Sequence, residues 1–159
     1  MTCTIVSTGE ELQSICKNEA EKPISSIKET VFEQIQMLCG QGFDCFYTNC
    51  EYGIPLWAAE TVLMLRQFNP ITLHIVIPYE EQAVNWAEDV RDRYYNIHRL
   101  ADRVELVCTR FQEDCYRLAE QRMIAQSDLI LIFGQECVLP DVRAMAENNG
   151  IPIIFCRIE

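Results

Sequence analysis

Three glutamates follow apolar runs closely enough to act as acid or base at the mouth of a cleft: Glu10, Glu51 and Glu60. A carboxyl group in a partly buried cleft can acquire the raised pKa that general acid catalysis requires. No nucleophile stands paired with a base, so the sequence does not decide whether this is an enzyme. Nine cysteines are a second chemical resource. None forms a CxxC pair, and the nearest neighbours, Cys39, Cys45 and Cys50, lack the spacing of a zinc finger or ribbon. An odd count also argues against a disulfide framework. Cys3, Cys45, Cys108 and Cys156 sit in apolar runs, where a thiol behaves as a small buried hydrophobe. Cys50, Cys108 and Cys137 each follow such a run, so a thiol metal or redox site is the rival reading for those three. No resident metal is expected, and the sequence names no cofactor.

Polar and aromatic pairs offer recognition chemistry instead. Gln82 and Trp86 are spaced i, i+4, and a continuous helix would present both on one face. They read as ligand contacts or, alternatively, as a capping amide and a core indole. Trp57 and Glu60 are three apart, with the same choice between ligand contact and local structure. Ser127-Asp128 reads as a turn or cap, His74 as a satisfied core histidine, and His98 as a surface residue.

The elements that must position these residues alternate regularly. Cys3–Ser7 reads as a first strand, ended by Thr8-Gly9. Ser26-x-x-Glu29 is a capping-box pattern, and Ile24, Ile27, Val31, Ile35 and Leu38 recur at helical spacing until Gly40 and Gly42. Phe43–Thr48 is a second strand. Pro55 opens a helix to about Phe68, which Asn69-Pro70 terminates. Thr72–Ile77 is a third strand, and Glu80–Leu100 a charged helix. Val104–Cys108 and Asp128–Phe133 are further strands flanking a helix over Glu113–Gln126. Pro140–Asn149 is the last helix, with Gly150 past its end, and Ile151–Cys156 the last strand. Such a βαβ series predicts one α/β domain of Rossmann-like, three-layer architecture with a mostly parallel sheet of about six strands. The unbroken runs Leu129–Phe133 and Ile151–Phe155 read as strands covered on both faces.

Right-handed crossovers gather the strand-to-helix loops on one sheet edge, and ligands bind where strand order reverses. The candidate loops are Thr8–Glu11, Asn49–Ile54, Pro78–Gln82, Thr109–Gln112 and Gly134–Pro140. Each carries at most one glycine of the kind a pyrophosphate cradle uses (Gly9, Gly53 or Gly134), and neither GxGxxG nor GxxxxGK[ST] occurs. With a 3-2-1-4-5 strand order, the fourth and fifth strands would be neighbours about 5 Å apart. That would bring Cys108 beside Cys137.

Composition removes several classes of partner. The formal charge is −11, with 24 acidic residues against 13 basic ones. Nucleic-acid affinity depends on neutralising phosphates with Lys and Arg, so neither nucleic acid nor an anionic membrane surface is expected. The loose basic cluster Arg91, Arg93, Arg99 and Arg103 is interleaved with acids and reads as a solvated mixed-charge helix face. No basic segment followed by an apolar stretch opens the sequence, so a cytoplasmic location is expected.

The block Gly53-Ile54-Pro55-Leu56-Trp57-Ala58-Ala59-Glu60 resembles the GVxxWAAE block of the YpsA-like family, within the SLOG superfamily that includes the DprA and LOG proteins. Pro78-Tyr79-Glu80-Glu81-Gln82 with Trp86 is similar to its PF…Q…W block, and Ser127-Asp128-Leu129-Ile130-Leu131 to its SD-apolar strand. The resemblance covers about Leu38 to Phe155 and implies a Rossmann-like fold with a nucleotide-like ligand at the strand ends. It implicates Thr8, Gly9, Asn49, Cys50, Gly53, Trp57, Pro78, Tyr79, Gln82, Trp86 and Gly134 as ligand-binding positions. Three departures bear on that site. Asn49-Cys50-Glu51-Tyr52 replaces a Ser-Gly-Gly-type turn, Thr8-Gly9-Glu10-Glu11 lacks the family's basic pair, and Gly134-Gln135-Glu136-Cys137 replaces a longer glycine-rich loop. Each removes a donor or adds a carboxylate where an anion would sit, and carboxylate repels phosphate. The PGGxGTxxE signature of LOG phosphoribohydrolases is absent. The sequence therefore points to a small-ligand-binding or sensor domain with a degenerate phosphate site. An enzyme acting on a nucleotide or nucleoside, and a structural homo-oligomerisation module, are the alternatives.

Overall fold

The structure is a computed structural model and describes residues 1–8, 19, 22–134 and 139–158. Six strands form one sheet: β1 (Thr2–Ser7), β2 (Cys45–Thr48), β3 (Thr72–Tyr79), β4 (Arg103–Cys108), β5 (Leu129–Gly134) and β6 (Ile153–Arg157). Every neighbouring pair runs parallel, in the order β4-β3-β2-β1-β5-β6. The helices between them are α1 (Lys22–Gly40), α2 (Ile54–Leu65), α3 (Glu88–Leu100), α4 (Cys115–Ile124) and α5 (Pro140–Asn149).

The order explains which helix covers which face. The chain steps from β1 through β2 and β3 to β4 in one direction, so α1, α2 and α3 lie on one side. It then returns across the sheet to β5 and reverses direction, which places α4 and α5 on the other. The first side holds the larger core, including Ile5, Phe46, Leu56, Ile75, Tyr94 and Leu131. On the second side, α5 covers Val6, Ile130 and Ile132 through Val142 and Ala146, and α4 covers Tyr47 and Val76 through Ala119 and Met123. Strand β5 is buried at every position, as its unbroken apolar run requires.

Several sequence expectations need correction. The order is not 3-2-1-4-5: β4 is an outer strand beyond β3, and four strand spacings separate it from β5. Strand β6 is the other edge, and its side chains are only half-buried, because an edge strand has no neighbour to complete its cover. It starts at Ile153, since the Ile151 N–H is drawn back to Ala146 O (2.9 Å) in closing α5, with Gly150 at φ 65°. Strand β2 starts at Cys45, because Phe43 N–H caps α1 at Leu38 O. The largest difference lies after β3. Residues 80–87 form successive turns, Ala87 is extended (φ −56°, ψ 147°), and α3 begins only at Glu88. Its first turn carries Glu88 and Asp89 and its last Arg99, which matches charge to the helix dipole at both ends.

Candidate functional site

The order reverses on either side of β1, whose neighbours are β2 and β5. At that point the Thr8 N–H bonds Phe133 O (2.9 Å), and Gly134 lies against the Thr8 side chain. A Cβ at residue 134 would fall 1.6 Å from Thr8 Oγ1 and 2.8 Å from Thr8 Cβ, and φ there is 137°. Only glycine permits that approach. Thr8 and Gly134 thus form a closed seam between β1 and β5. Gly9 and Cys137, the other candidates at these loops, lie outside the described residues, as does Glu10.

One strand away, the loop after β2 carries most of the remaining candidates. Cys50 adopts φ 58° and Gly53 φ 105°, so the chain turns sharply twice before α2. An anion cradle made of backbone amides needs its N–H groups turned outward to the ligand. Three here point inward: Cys50 N–H to Thr48 Oγ1 (3.2 Å), Glu51 N–H to Asn49 Oδ1 (3.0 Å) and Leu56 N–H to Glu51 O (3.0 Å). Pro55, inside the first turn of α2, has no N–H to offer. Burial pushes the Cys50 thiol well above its ordinary range, with the Glu60 and Glu51 charges adding to the shift.

The Glu51 side chain faces a different set of groups. Gln82 is 4% exposed. Its amide donates to Asn49 O (3.2 Å) and to Glu51 Oε2 (3.1 Å), and its own Oε1 accepts from the Tyr94 hydroxyl (3.0 Å). The Tyr116 hydroxyl donates to the same Glu51 oxygen. Burial and the adjacent Glu51 charge hold the Tyr116 phenol far above its usual pKa, so it stays a donor. Both groups that grip the carboxylate are neutral. Among the described residues, no cation is ion-paired to Glu51.

Aromatic rings flank this carboxylate on two sides. Tyr116 meets Tyr79 edge-on at 6.2 Å, and Tyr79 meets Phe111 at 5.3 Å. Phe111 is 61% exposed. On the other side, Tyr52 lies 5.9 Å from Trp86, which packs against Tyr94 at 5.1 Å. Pro78 is buried within β3, where β2 has already ended opposite Ile75 and only the β4 side is paired. Gln82 and Trp86 therefore converge on the rim through a run of turns, not as one helix face. Glu51, Tyr94, Phe111 and Tyr116 complete the cluster. Sequence reasoning raised Glu51 only as a departure or possible acid and Phe111 only within a candidate loop, and it missed Tyr94 and Tyr116, because they reach the rim from helices on opposite faces of the sheet.

Trp57 lies elsewhere, 2% exposed on the α1–α3 side. Its indole N–H donates to Glu19 Oε1 (3.3 Å), and Lys28 Nζ stands 5.1 Å from its ring. Lys28 also bonds Glu19 Oε2 (2.6 Å). Arg93 bonds Glu19 Oε1 (2.8 Å) and grips Glu60 twice, through Nε (2.7 Å) and Nη2 (2.8 Å). Arg93 thus leaves the expected solvated face, and the Glu60 contact is long-range. Burial works against ionisation of Glu19, but Arg93 and Lys28 override it and lower its pKa to about 2.

Other candidates fall away from the rim. Asp128 accepts the Thr2 N–H (2.7 Å) and Ser127 bonds Met123 O (2.8 Å), so the pair ties down the start of β1. His74 is half-buried beside Tyr47 (4.9 Å). His98 is also half-buried, with Nδ1–H donated to Tyr94 O (2.8 Å), so it is not simply a surface residue. Cys3 is buried, its thiol pushed up to about 12 by burial, whereas Cys45, Cys108 and Cys156 are only partly covered. Among the described residues, no three Cys, His, Asp or Glu side chains converge as a metal site. With β4 four spacings from β5, the juxtaposition argued for Cys108 and Cys137 from strand order is removed. Glu120, one turn beyond Tyr116 on α4, has its pKa raised to about 7 by burial and by the nearby Asp141.

An all-parallel sheet covered on both faces, with its loops converging on one rim, defines a Rossmann-like α/β domain. Residues 10–138 match the family model YpsA, described as the YspA SLOG family. The chain belongs to that family. A UPF0398 protein of Halalkalibacterium halodurans is 34% identical over 116 residues, covering 71% of this chain and 61% of the relative. UPF0398 proteins of Brevibacillus brevis and Staphylococcus aureus are 26% and 28% identical over 89% and 77% of this chain, and 71% and 67% of their own lengths. The chain thus spans about three-fifths to seven-tenths of these relatives. No helix among the described residues is long and apolar enough to cross a membrane.

Proposed function

We propose that this domain binds a small nucleotide-like ligand at the rim and acts as a binding or sensor module, with a degenerate phosphate site. The observation that carries the reading is the inward turn of the Cys50, Glu51 and Leu56 amides in the loop where a phosphate cradle would need them outward. Asn49, Cys50, Gly53, Pro78, Tyr79, Gln82 and Trp86 form the loop and its supports, and Thr8 and Gly134 the seam beside it. Trp57 enters this reading as a support of α2. Family membership favours a nucleotide-related ligand, and the excess of acidic residues disfavours nucleic acid as partner. A thermal-shift screen over nucleotides and nucleosides tests it, since a ligand stabilises by RT ln(1 + [L]/Kd). A rise in Tm with at least one compound is expected. No shift at millimolar concentration of any would contradict the reading and favour a structural, self-associating module.

A further inference from the structure

We infer that the rim takes an unphosphorylated nucleoside by its base, with Glu51 accepting hydrogen bonds from the N–H groups of the base and the Tyr79–Phe111 aromatic wall flanking its ring. The inference rests on the nucleotide-like reading above and narrows it to a ligand class.

Three features of the rim converge on that chemistry. The Glu51 carboxylate is held through one oxygen by two neutral donors, Gln82 and Tyr116. Gln82 is itself fixed by Tyr94 and Asn49, so the carboxylate is oriented before any ligand arrives. The second oxygen, Oε1, has no hydrogen-bond partner among the described residues. It still carries acceptor capacity and a charge that no cation among the described residues is ion-paired to, and both select a donor. Next, the inward amides together with this negative charge make the loop a poor host for phosphate. Finally, Phe111, Tyr79 and Tyr116 form a continuous run of rings ending at Glu51, with Phe111 largely open to solvent. A flat heteroaromatic ring with N–H groups on its edge matches both the ring surface and the acceptor. A flexible aliphatic amine would satisfy only the acceptor.

Isothermal titration calorimetry with adenosine, guanosine, purine riboside and the 5′-monophosphates of the first two tests the assignment. Purine riboside keeps the ring and sugar but lacks N–H donors on its base. Adenosine or guanosine is expected to bind at least about tenfold tighter than purine riboside, and no weaker than its own monophosphate. In Glu51→Gln, the amide oxygen must stay with Gln82 and Tyr116, which turns the NH2 donor toward the ligand. That variant is expected to lose about tenfold or more in affinity for the amino-bearing nucleoside while binding purine riboside as before. The exposed Phe111→Ala change is expected to weaken all nucleosides together. A monophosphate binding tenfold tighter than its nucleoside, or unchanged affinity in Glu51→Gln, would overturn this inference and leave the broader nucleotide-like reading standing. No heat with any of the five compounds would remove this inference, and only if the nucleotide thermal-shift screen is also silent would the broader reading go with it. Free adenine binding as well as adenosine would keep the base contact and discard the nucleoside.

Discussion

Two glutamates, Glu19 and Glu51, show how the same side chain can serve different ends in one small domain. Glu19 is saturated by Arg93, Lys28 and the Trp57 indole. The cations balance its charge, and Arg93 carries the network on to Glu60. Glu51 is gripped as firmly, but by an amide and a phenol, and no cation among the described residues is ion-paired to it. Where charge is matched inside the protein, it fastens helices together. Where it is oriented but unmatched, it remains available to something from outside.

The largest expected effect tests whether the rim depends on the β1–β5 seam. Gly134→Ala forces a side chain into Thr8 at φ 137°, and should lower stability by about 3 kcal/mol or more in urea unfolding. A smaller loss would mean the seam can open. Arg93→Ala comes next. It strands Glu60 and leaves Glu19 to Lys28 and the Trp57 indole, and should reduce stability by about 2 kcal/mol, with the exposure of the partners keeping it below the value for a fully buried pair.

The acid limb of stability sharpens the contrast. The folded Glu19 pKa is about 2, below the ordinary glutamate value near 4.5. Its contribution is therefore complete above about pH 4.5 and is lost as pH falls toward 2. Stability measured from pH 5 to 2.5 should fall less steeply in Glu19→Gln than in the parent chain. Glu120 has the opposite sign. Its folded pKa is raised to about 7, so folding is favoured at low pH and penalised as pH rises through that window. Glu120→Gln should stabilise by about 1 kcal/mol at pH 8 and by much less at pH 5.

Much of the scaffold was legible in the amino-acid pattern. Apolar runs, most of them bounded by Gly or Pro, located all six strands, and Pro55, Pro140 and Gly150 marked helix ends within a residue or two. Strand order was not legible, since nothing in the β4 residues says whether they pair beside β3 or beside β1. The start of α3 was also missed, because the successive turns over 80–87 space their residues much as a helix does. The rim was half-visible. Asn49, Cys50, Gly53, Tyr79, Gln82 and Trp86 gather around one loop, as the β2 and β3 ends required. Tyr116 and Tyr94 were invisible as partners, since they reach the loop from helices on opposite sides of the sheet. The long-range Glu60–Arg93 pair had no local spacing that could betray it.

Urea unfolding of Glu19→Gln and Glu51→Gln, side by side at neutral pH without ligand, tests the central contrast most directly. Glu19→Gln should lower stability by about 1–2 kcal/mol, because it breaks charge-assisted bonds to Arg93 and Lys28. Glu51→Gln should leave stability within about 0.5 kcal/mol of the parent, or raise it, as removal of an unbalanced charge at a binding site does. Equal destabilisation by the two changes would contradict the account and make Glu51 a structural anchor like Glu19.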